Sequence, residues 1–399
     1  MKILVIDEEF PFPLNTGKRI RSYNLTKGLA QSHDLAYLAY GTPDSPGYVF
    51  LKDNGITPYT VVPPNRRQAG VGFYLKLFSN ITSPYPYIVT SHYTAAFQSR
   101  LQRLIKQQKY NLVICEWTPY ALYLRELEEV KSVIVAHNIE SSIWQRYEEY
   151  EKNPFKKWYI SIQRRKVEKY ERVCFRWANG ATAVSELEAE QIRKWGVPYP
   201  VEIIENGVDR EYFSSSDVEI DPHMLVFTGS MDWRPNQDAA RYFVHDILPL
   251  IRRENPLTTV VLVGRKPPKM ITELGKIEGV TVTGTVDDVR PYIARAALYI
   301  VPLRIGGGSR LKILEAMSMK KAVVSTFVGA EGLRVTDGIN ILLGDTPKAF
   351  AEKVLACLRD TTLRARLAEK GRRLVKQHYD WEKLAMRYSD YLVSVVQER

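Results

Sequence analysis

The stretch Ile300-Val-Pro-Leu-Arg-Ile-Gly-Gly-Gly-Ser-Arg-Leu-Lys-Ile-Leu-Glu-Ala-Met317 decides how the rest of this chain is read. An apolar, strand-like run leads into Gly306, Gly307 and Gly308, and a helical pattern starts just after Ser309. Glycines let the backbone approach a ligand closely, and a helix N-terminus offers open N–H groups and a partial positive charge, which together suit a phosphate. Arg310 and Lys312 add full charges at that same end. At 100° per residue Lys312 and Glu315 sit about 60° apart on one helix face, while Ile313, Leu314 and Met317 take the opposite, buried face. A carboxylate one turn beyond a phosphate cradle can accept hydrogen bonds from ribose hydroxyls. Three glycines alone would be a flexible turn, with Arg310 and Glu315 a solvated surface pair. With a strand before, a helix after and three charges in register, the segment describes a nucleoside diphosphate site.

The same strand-then-helix grammar runs outward in both directions. Strand-like runs at Lys2–Ile6, Leu35–Tyr40, Leu112–Cys115, Ser132–Ala136, Ala181–Val184 and Val201–Ile204 alternate with helical patterns, including Thr16–Gln31 and Phe155–Trp177. The second half repeats this with strands at Leu225–Thr228, Thr259–Val263, Val280–Val282, Leu298–Val301, Ala322–Ser325 and Ile341–Leu343. Alternation of this kind predicts βαβ units and two doubly wound, Rossmann-like α/β domains. The first is expected over 1–204 together with a terminal helix at 377–399, and the second over 205–376. Ligands of such sheets bind at the carboxyl ends of strands, so two facing sheets are expected to share a cleft. Residues 62–92, rich in proline and aromatics, break the grammar and read as a long insertion.

Composition sets the outer limits. The chain has 399 residues, 45% of them hydrophobic and 25% charged, which is ordinary for a soluble globular protein. No apolar run approaches the roughly 18 residues that a membrane span requires, and the opening Met-Lys-Ile-Leu-Val-Ile-Asp reads as a first strand rather than a signal peptide. Residues 1–200 hold 27 basic and 19 acidic side chains, a net of +8 within a total of +11. Such an excess favours anionic partners. Cys115, Cys174 and Cys357 stand far apart, which argues against a disulfide framework or a zinc site and fits a reducing cytoplasm.

The segment resembles the family 4 glycosyltransferases, retaining enzymes of the GT-B fold, in the branch carrying Gly-Gly-Gly-x-Arg-Leu-Lys-x-Leu-Glu-Ala-Met and a following Gly329-Ala330-Glu331-Gly332-Leu333 block. Further motifs stand in the family's order: Pro11–Gly17, Ala136-His137-Asn138, Ala183-Val184-Ser185-Glu186, Glu205-Asn206-Gly207-Val208-Asp209, and Thr228-Gly229-Ser230-Met231 with Pro235-Asn236. Many members carry a Glu-x7-Glu motif whose first Glu contacts the transferred sugar. Here Glu315 matches the second position and Gly307 stands at the first.

The resemblance implies a nucleoside diphosphate sugar as donor, a glycan or lipid-linked saccharide as acceptor, and transfer with retained anomeric configuration. Arg310 and Lys312 would stabilise the leaving diphosphate, and His137, after Ser132–Ala136, resembles the family's active-site histidine. Gly229, Ser230, Gly306, Gly307, Gly308 and Ser309 would offer backbone N–H groups to the donor, and Gly264 and Gly284 would line the base pocket. Gly17 and Arg21 would reach the donor from the loop after the first strand, and Glu315 would bind ribose. No cofactor or metal is expected. His33, His92 and His245 get only structural roles, and Arg234 is equally a charge candidate and a surface arginine. The terminal helix is expected to cross back to the first domain.

Residues 152–177 hold nine basic side chains against Glu168 and Glu171, interleaved with aromatics. A helix of that kind can lie on an anionic membrane surface, or simply turn a cationic face to water. The expected location is cytoplasmic, with a peripheral position on the inner face of the cell membrane as the extension of that reading. Two other functions compete. A nucleotide-sugar epimerase of the same fold needs acid and base carboxylates, and no obvious pair is visible. A nucleic-acid-binding protein would show a recognition signature, and none is present.

Overall fold

The computed structural model describes residues 1–64, 70–127, 129–215, 218–305 and 310–397. The chain divides into two compact units, one formed by Met1–Glu205 with Glu382–Arg399 and the other by Asn206–Trp381.

In the first unit the strands are β1 (Lys2–Glu9), β2 (Asp34–Tyr40), β3 (Thr57–Val61), β4 (Leu112–Cys115), β5 (Lys131–Ala136), β6 (Gly180–Ala183) and β7 (Val201–Ile203). They form one sheet in the order β3-β2-β1-β4-β5-β6-β7, and every pairing is parallel. The second unit contains β8 (Asp221–Thr228), β9 (Thr259–Val263), β10 (Val280–Gly284), β11 (Ala296–Val301), β12 (Val323–Ser325) and β13 (Leu342–Leu343). Its order is β10-β9-β8-β11-β12-β13, again parallel throughout. Both orders reverse direction at their first strand, so each sheet has a topological switch point, β1/β4 in one and β8/β11 in the other. Helices cover both faces, which is why strands such as Ala296–Val301 are buried at every position instead of alternating.

Three departures from the sequence reading have clear causes. The strand β3 reads poorly because Pro58 lies inside it; a proline is tolerated there because β3 is an edge strand. Residues 62–92 contain helices at Val71–Ser79 and Tyr87–Thr90 joined by a 3₁₀ turn at Asn80–Thr82. The helical stretch between β8 and β9, which a periodic pattern over Asn236–Arg253 predicts as one helix, is interrupted by a π turn at Phe243–Ile247. Pro249, which has no N–H to donate, stands just beyond it.

The last helical stretch is two helices, Thr361–His378 and Trp381–Gln397. Between them Tyr379 and Asp380 pair with Val208 in a short parallel bridge. The final helix then packs on the first unit: the Tyr391 hydroxyl accepts the Ala181 N–H at 2.9 Å and donates to the Pro200 carbonyl at 2.9 Å. Where this helix meets the helix Gly17–Ala30 there is no room for a side chain at position 28, since a Cβ there would lie 2.3 Å from the Ala385 Cβ.

That contact makes a test of the packing. Alanine normally stabilises a helix interior over glycine by about 0.5–1 kcal/mol. Here Gly28→Ala is expected to destabilise the protein by about 1–3 kcal/mol, read as a lower melting temperature, and Ala385→Gly in the same chain is expected to recover part of the loss.

Candidate functional site

In the second unit the residues that follow β8, β9 and β10 are tied together at the carboxyl edge of the sheet. Gly229 N–H donates to the Val263 carbonyl at 3.0 Å, Met231 N–H to the Arg265 carbonyl at 3.0 Å, and Gly264 N–H to the Gly284 carbonyl at 3.3 Å. Arg265 Nε donates to the Ser230 hydroxyl at 2.6 Å, and that hydroxyl donates to Asp232 at 2.7 Å. The N–H of Gly229 is therefore taken by the strand ladder, which corrects the expectation that it would serve a donor phosphate. What glycine supplies at 229 is room: a Cβ would lie 2.7 Å from Asn236 Nδ2 and 2.8 Å from Lys312 Nζ. The Ser230 N–H has no hydrogen-bond partner among the described residues. Gly264 likewise permits close approach, since a Cβ would collide with the Gly229 carbonyl, and Gly284 takes a left-handed turn at φ +73°.

Across the switch point from β8, the helix Leu311–Ser318 follows β11. Its Lys312 Nζ donates to Asn236 Oδ1 at 2.8 Å and stands 4.5 Å from the centre of the Phe227 ring. Asn236 was legible only as part of a motif; its role is to accept from this lysine, and its own Nδ2 donates to the Ser230 carbonyl at 2.8 Å. Desolvation lowers Lys312 to about 7, with Glu315 opposing the shift and Arg310 adding to it. Glu315, one turn further, is raised to about 7 by desolvation, with Lys312 opposing. Among the described residues its carboxylate has no hydrogen-bond partner. Arg310, at the start of this helix, is buried and donates to Glu331 at 3.3 Å. The Gly-Ala-Glu block thus supplies a counter-ion for the arginine. Gly306, Gly307, Gly308 and Ser309 lie outside the described residues.

The carboxyl edge of the first sheet holds a denser charged cluster. Lys18 Nζ contacts Asp7 at 2.6 Å and Glu8 at 3.0 Å, and Arg19 pairs with Glu9. The basic start of the helix Gly17–Ala30 is thereby held on the acidic end of β1 instead of being offered to a ligand. Burial raises Asp7 to about 6 even against Lys18. Gly17 opens the helix behind its cap, Thr16. Arg21 is 1% exposed, and its guanidinium donates to the Glu205 carbonyl at 2.8 Å. Arg21, expected to make a charge contact to the donor from the loop after β1, is buried inside the unit, where burial lowers its pKa.

His137, directly after β5, lies 3.1 Å from Glu116, directly after β4. Glu116 also accepts the Ser22 hydroxyl at 2.6 Å. Next to it the Trp117 indole donates to Glu140 at 2.8 Å, and the His92 ring meets Trp117 edge-on with centroids 4.9 Å apart. His92 Nε2 is 3.4 Å from Glu8, so this histidine belongs to the cluster that sequence reasoning passed over. Glu140 is raised to about 7 by burial. Glu171 is raised to about 8 by burial and accepts the Glu140 and Ser141 N–H groups, capping the helix Glu140–Tyr150. Among the described residues, no group of three or more His, Cys, Asp or Glu side chains could hold a metal ion.

Two parallel, Rossmann-like sheets, each with polar and charged side chains gathered at its switch point, are the architecture of the GT-B fold. Two family models match, Glycosyltransferase Family 4 over residues 17–212 and Glycosyl transferases group 1 over 222–360. The chain belongs to the family 4 type of glycosyltransferases. It is 21% identical to a 44.6 kDa protein of the cps region of Klebsiella pneumoniae, over 96% of this chain and 97% of that protein. It is 30% identical to the lipopolysaccharide core biosynthesis glycosyltransferase LpsE of Rhizobium meliloti, over 32% of this chain and 37% of LpsE. Among solved structures, Anabaena HepE in complex with UDP and glucose matches with a TM-score of 0.66 at 16% identity, covering 99% of this chain and 100% of that one. Sucrose-phosphate synthase from Thermosynechococcus elongatus matches with a TM-score of 0.71 at 17% identity, covering 99% of each chain.

The state of Lys312 has a measurable consequence. Held near 7, it is largely neutral at pH 8, and a diphosphate beside it raises its pKa. Nucleoside diphosphate binding at pH 8 is therefore expected to take up protons, seen as a dependence of the calorimetric enthalpy on the ionisation enthalpy of the buffer. Glu315, raised to about 7, is mostly ionised at that pH, and ribose hydroxyls donating to it favour that form. The effect should vanish in Lys312→Met.

Proposed function

We propose that this chain is a retaining transferase that moves a sugar from a UDP-sugar onto a glycan or lipid-linked saccharide acceptor in polysaccharide or glycoconjugate assembly. The observation that carries the reading is the pair on one helix face after β11. Lys312 is a cation kept close to neutrality, and Glu315 is a carboxylate without a partner among the described residues. A diphosphate satisfies the first and ribose hydroxyls satisfy the second. UDP is the nucleotide named for the HepE neighbour, and the cps and LpsE relatives support a role in surface polysaccharide assembly.

When the bond between the sugar and the diphosphate breaks, negative charge collects on the leaving oxygens. Arg310 and Lys312 offset that charge, and placed donors of this kind supply the largest share of catalysis in such sites. The Arg310 guanidinium, together with a Lys312 ammonium that the bound diphosphate keeps protonated, supports a metal-independent step. The first unit is the acceptor-side unit, and the leaving phosphate takes the acceptor proton, so no protein nucleophile is required. The epimerase alternative is disfavoured by the family match, which names transferases.

Membrane contact through the first unit is part of the same proposal. On the helix Pro154–Cys174, Phe155 and Trp158 are 82% and 57% exposed, and they share a face with exposed Arg165 and Lys169. Some of the basic residues are used internally: Lys166 donates to the Ile81 and Ser83 carbonyls, and Arg164 pairs with Glu148. Tyr74, Leu75 and Phe78 on the helix Val71–Ser79 are also exposed. Exposed aromatics among cations that have no ion-pair partner among the described residues suit an anionic lipid surface. No helix among the described residues is long and apolar enough to cross a membrane.

Incubated with a panel of UDP-, GDP- and dTDP-sugars in the presence of EDTA, the protein is expected to release UDP. Lys312→Ala and Glu315→Ala should each lose at least about tenfold in turnover while melting near the wild-type temperature; full activity in both would refute the assignment. In a separate experiment, vesicles containing phosphatidylglycerol should bind the protein at low salt. The combined change Lys156→Glu, Arg165→Glu and Lys169→Glu should abolish that binding, and binding unaffected by the change would remove the membrane part of the proposal.

A further inference from the structure

Glu116 follows the last residue of β4 and His137 follows the last residue of β5. These strands are parallel neighbours, so the residues leaving their carboxyl ends emerge side by side. There one carboxylate oxygen of Glu116, Oε2, lies 3.1 Å from His137 Nε2 and accepts the Ser22 hydroxyl at 2.6 Å. The Glu116 side chain is 2% exposed and that of His137 is 8% exposed. Burial by itself would favour a protonated carboxyl, but His137, Ser22 and Arg21 outweigh it and hold Glu116 below its ordinary value. An ionised carboxylate has no proton to give, so the proton in the 3.1 Å contact belongs to Nε2. Burial also lowers His137, against the pull of Glu116. A neutral imidazole carries one proton, and with that proton on Nε2 the other nitrogen, Nδ1, is a bare lone pair. Among the described residues Nδ1 has no hydrogen-bond partner.

We propose that Glu116 is a positioning residue that locks His137 as the Nε2–H tautomer, so that Nδ1 is presented solely as an acceptor for a substrate hydroxyl. The inference rests on the proposed function and on the resemblance of His137 to the family's active-site histidine. The logic is that of a buried carboxylate orienting an imidazole: it sets which nitrogen donates and holds the ring plane, and removing it costs activity without removing the ring. The Ser22 hydrogen bond and the charge of Arg21 favour the ionised carboxylate. A ring so held can accept a hydroxyl proton in a hydrogen bond but cannot donate one to a phosphate oxygen, which assigns it to a sugar and not to the diphosphate.

The full chain, labelled with ¹⁵N-histidine, tests this by long-range ¹H–¹⁵N correlation at pH 7.5. The expected spectrum shows His137 with a protonated Nε2 and an unprotonated Nδ1. In Glu116→Gln the amide can donate or accept, so a mixture of tautomers is expected, with kcat down about tenfold or more and KM values for donor and acceptor little changed. Ser22→Ala, which leaves the carboxylate in place, should keep the wild-type tautomer. A wild-type ring protonated on Nδ1, or on both nitrogens, would overturn the proposal whether or not any variant folds. Glu116→Gln with wild-type kcat would overturn it as well. His137→Ala separates the two ideas. If it retains full turnover, the placing of His137 in the active site fails; if it is inactive while Glu116→Gln is unimpaired, only the role of Glu116 fails.

Discussion

Every strand in each sheet runs in the same direction, and that constraint governs where chemistry can occur in this molecule. A parallel sheet covered by helices on both faces has no side open to water, so its polar work is confined to the ends of strands. The carboxyl ends converge on one edge, and the crevice at the switch point is where a ligand can reach several of them at once. In the second unit Ser230 follows β8 by two residues, and the helix bearing Lys312 and Glu315 follows β11. In the first, Glu116 and His137 follow β4 and β5, and Asp7 to Glu9 form the end of β1. Lys312 and Asn236, 76 positions apart in the chain, become neighbours only through this arrangement.

Both edges carry charges that are kept from water and then partly compensated. Among the described residues Lys312 has a single acceptor in Asn236, with a ring beneath it, and desolvation lowers its pKa to about 7. The first unit solves the same problem internally. Lys18 is consumed by Asp7 and Glu8, and Arg19 by Glu9, leaving a site whose remaining groups are carboxylates, two histidines and an indole. Under the proposed function the second unit takes the diphosphate and the first the hydroxyl-rich acceptor.

Much of the fold was legible in the sequence, because covered parallel strands write continuous apolar runs and the helices between them write a different period. What failed to show were local exceptions: Pro58 masking an edge strand, and a π turn inside a helical pattern. The candidate site was legible where chemistry demands unusual residues together, as in the Arg310, Lys312 and Glu315 segment. It was less legible where function depends on contacts between distant positions. Nothing about Arg21 in sequence says that its guanidinium will serve the Glu205 carbonyl, and the Gly229 motif does not reveal that its N–H is spent on the Val263 ladder bond. Glu116 was the most retrievable omission, since it stands directly after a recognisable strand; with no motif around it, only the sheet order shows that it faces His137.

The central claim is that the carboxyl edge at β8 and β11 is the nucleoside diphosphate site. A crystal structure of the protein soaked with UDP tests it most directly. The account predicts diphosphate oxygens within about 3.2 Å of Lys312 Nζ and ribose hydroxyls on the Glu315 carboxylate. UDP bound elsewhere on the chain, with Lys312 still on Asn236 and Glu315 unpartnered, would contradict it.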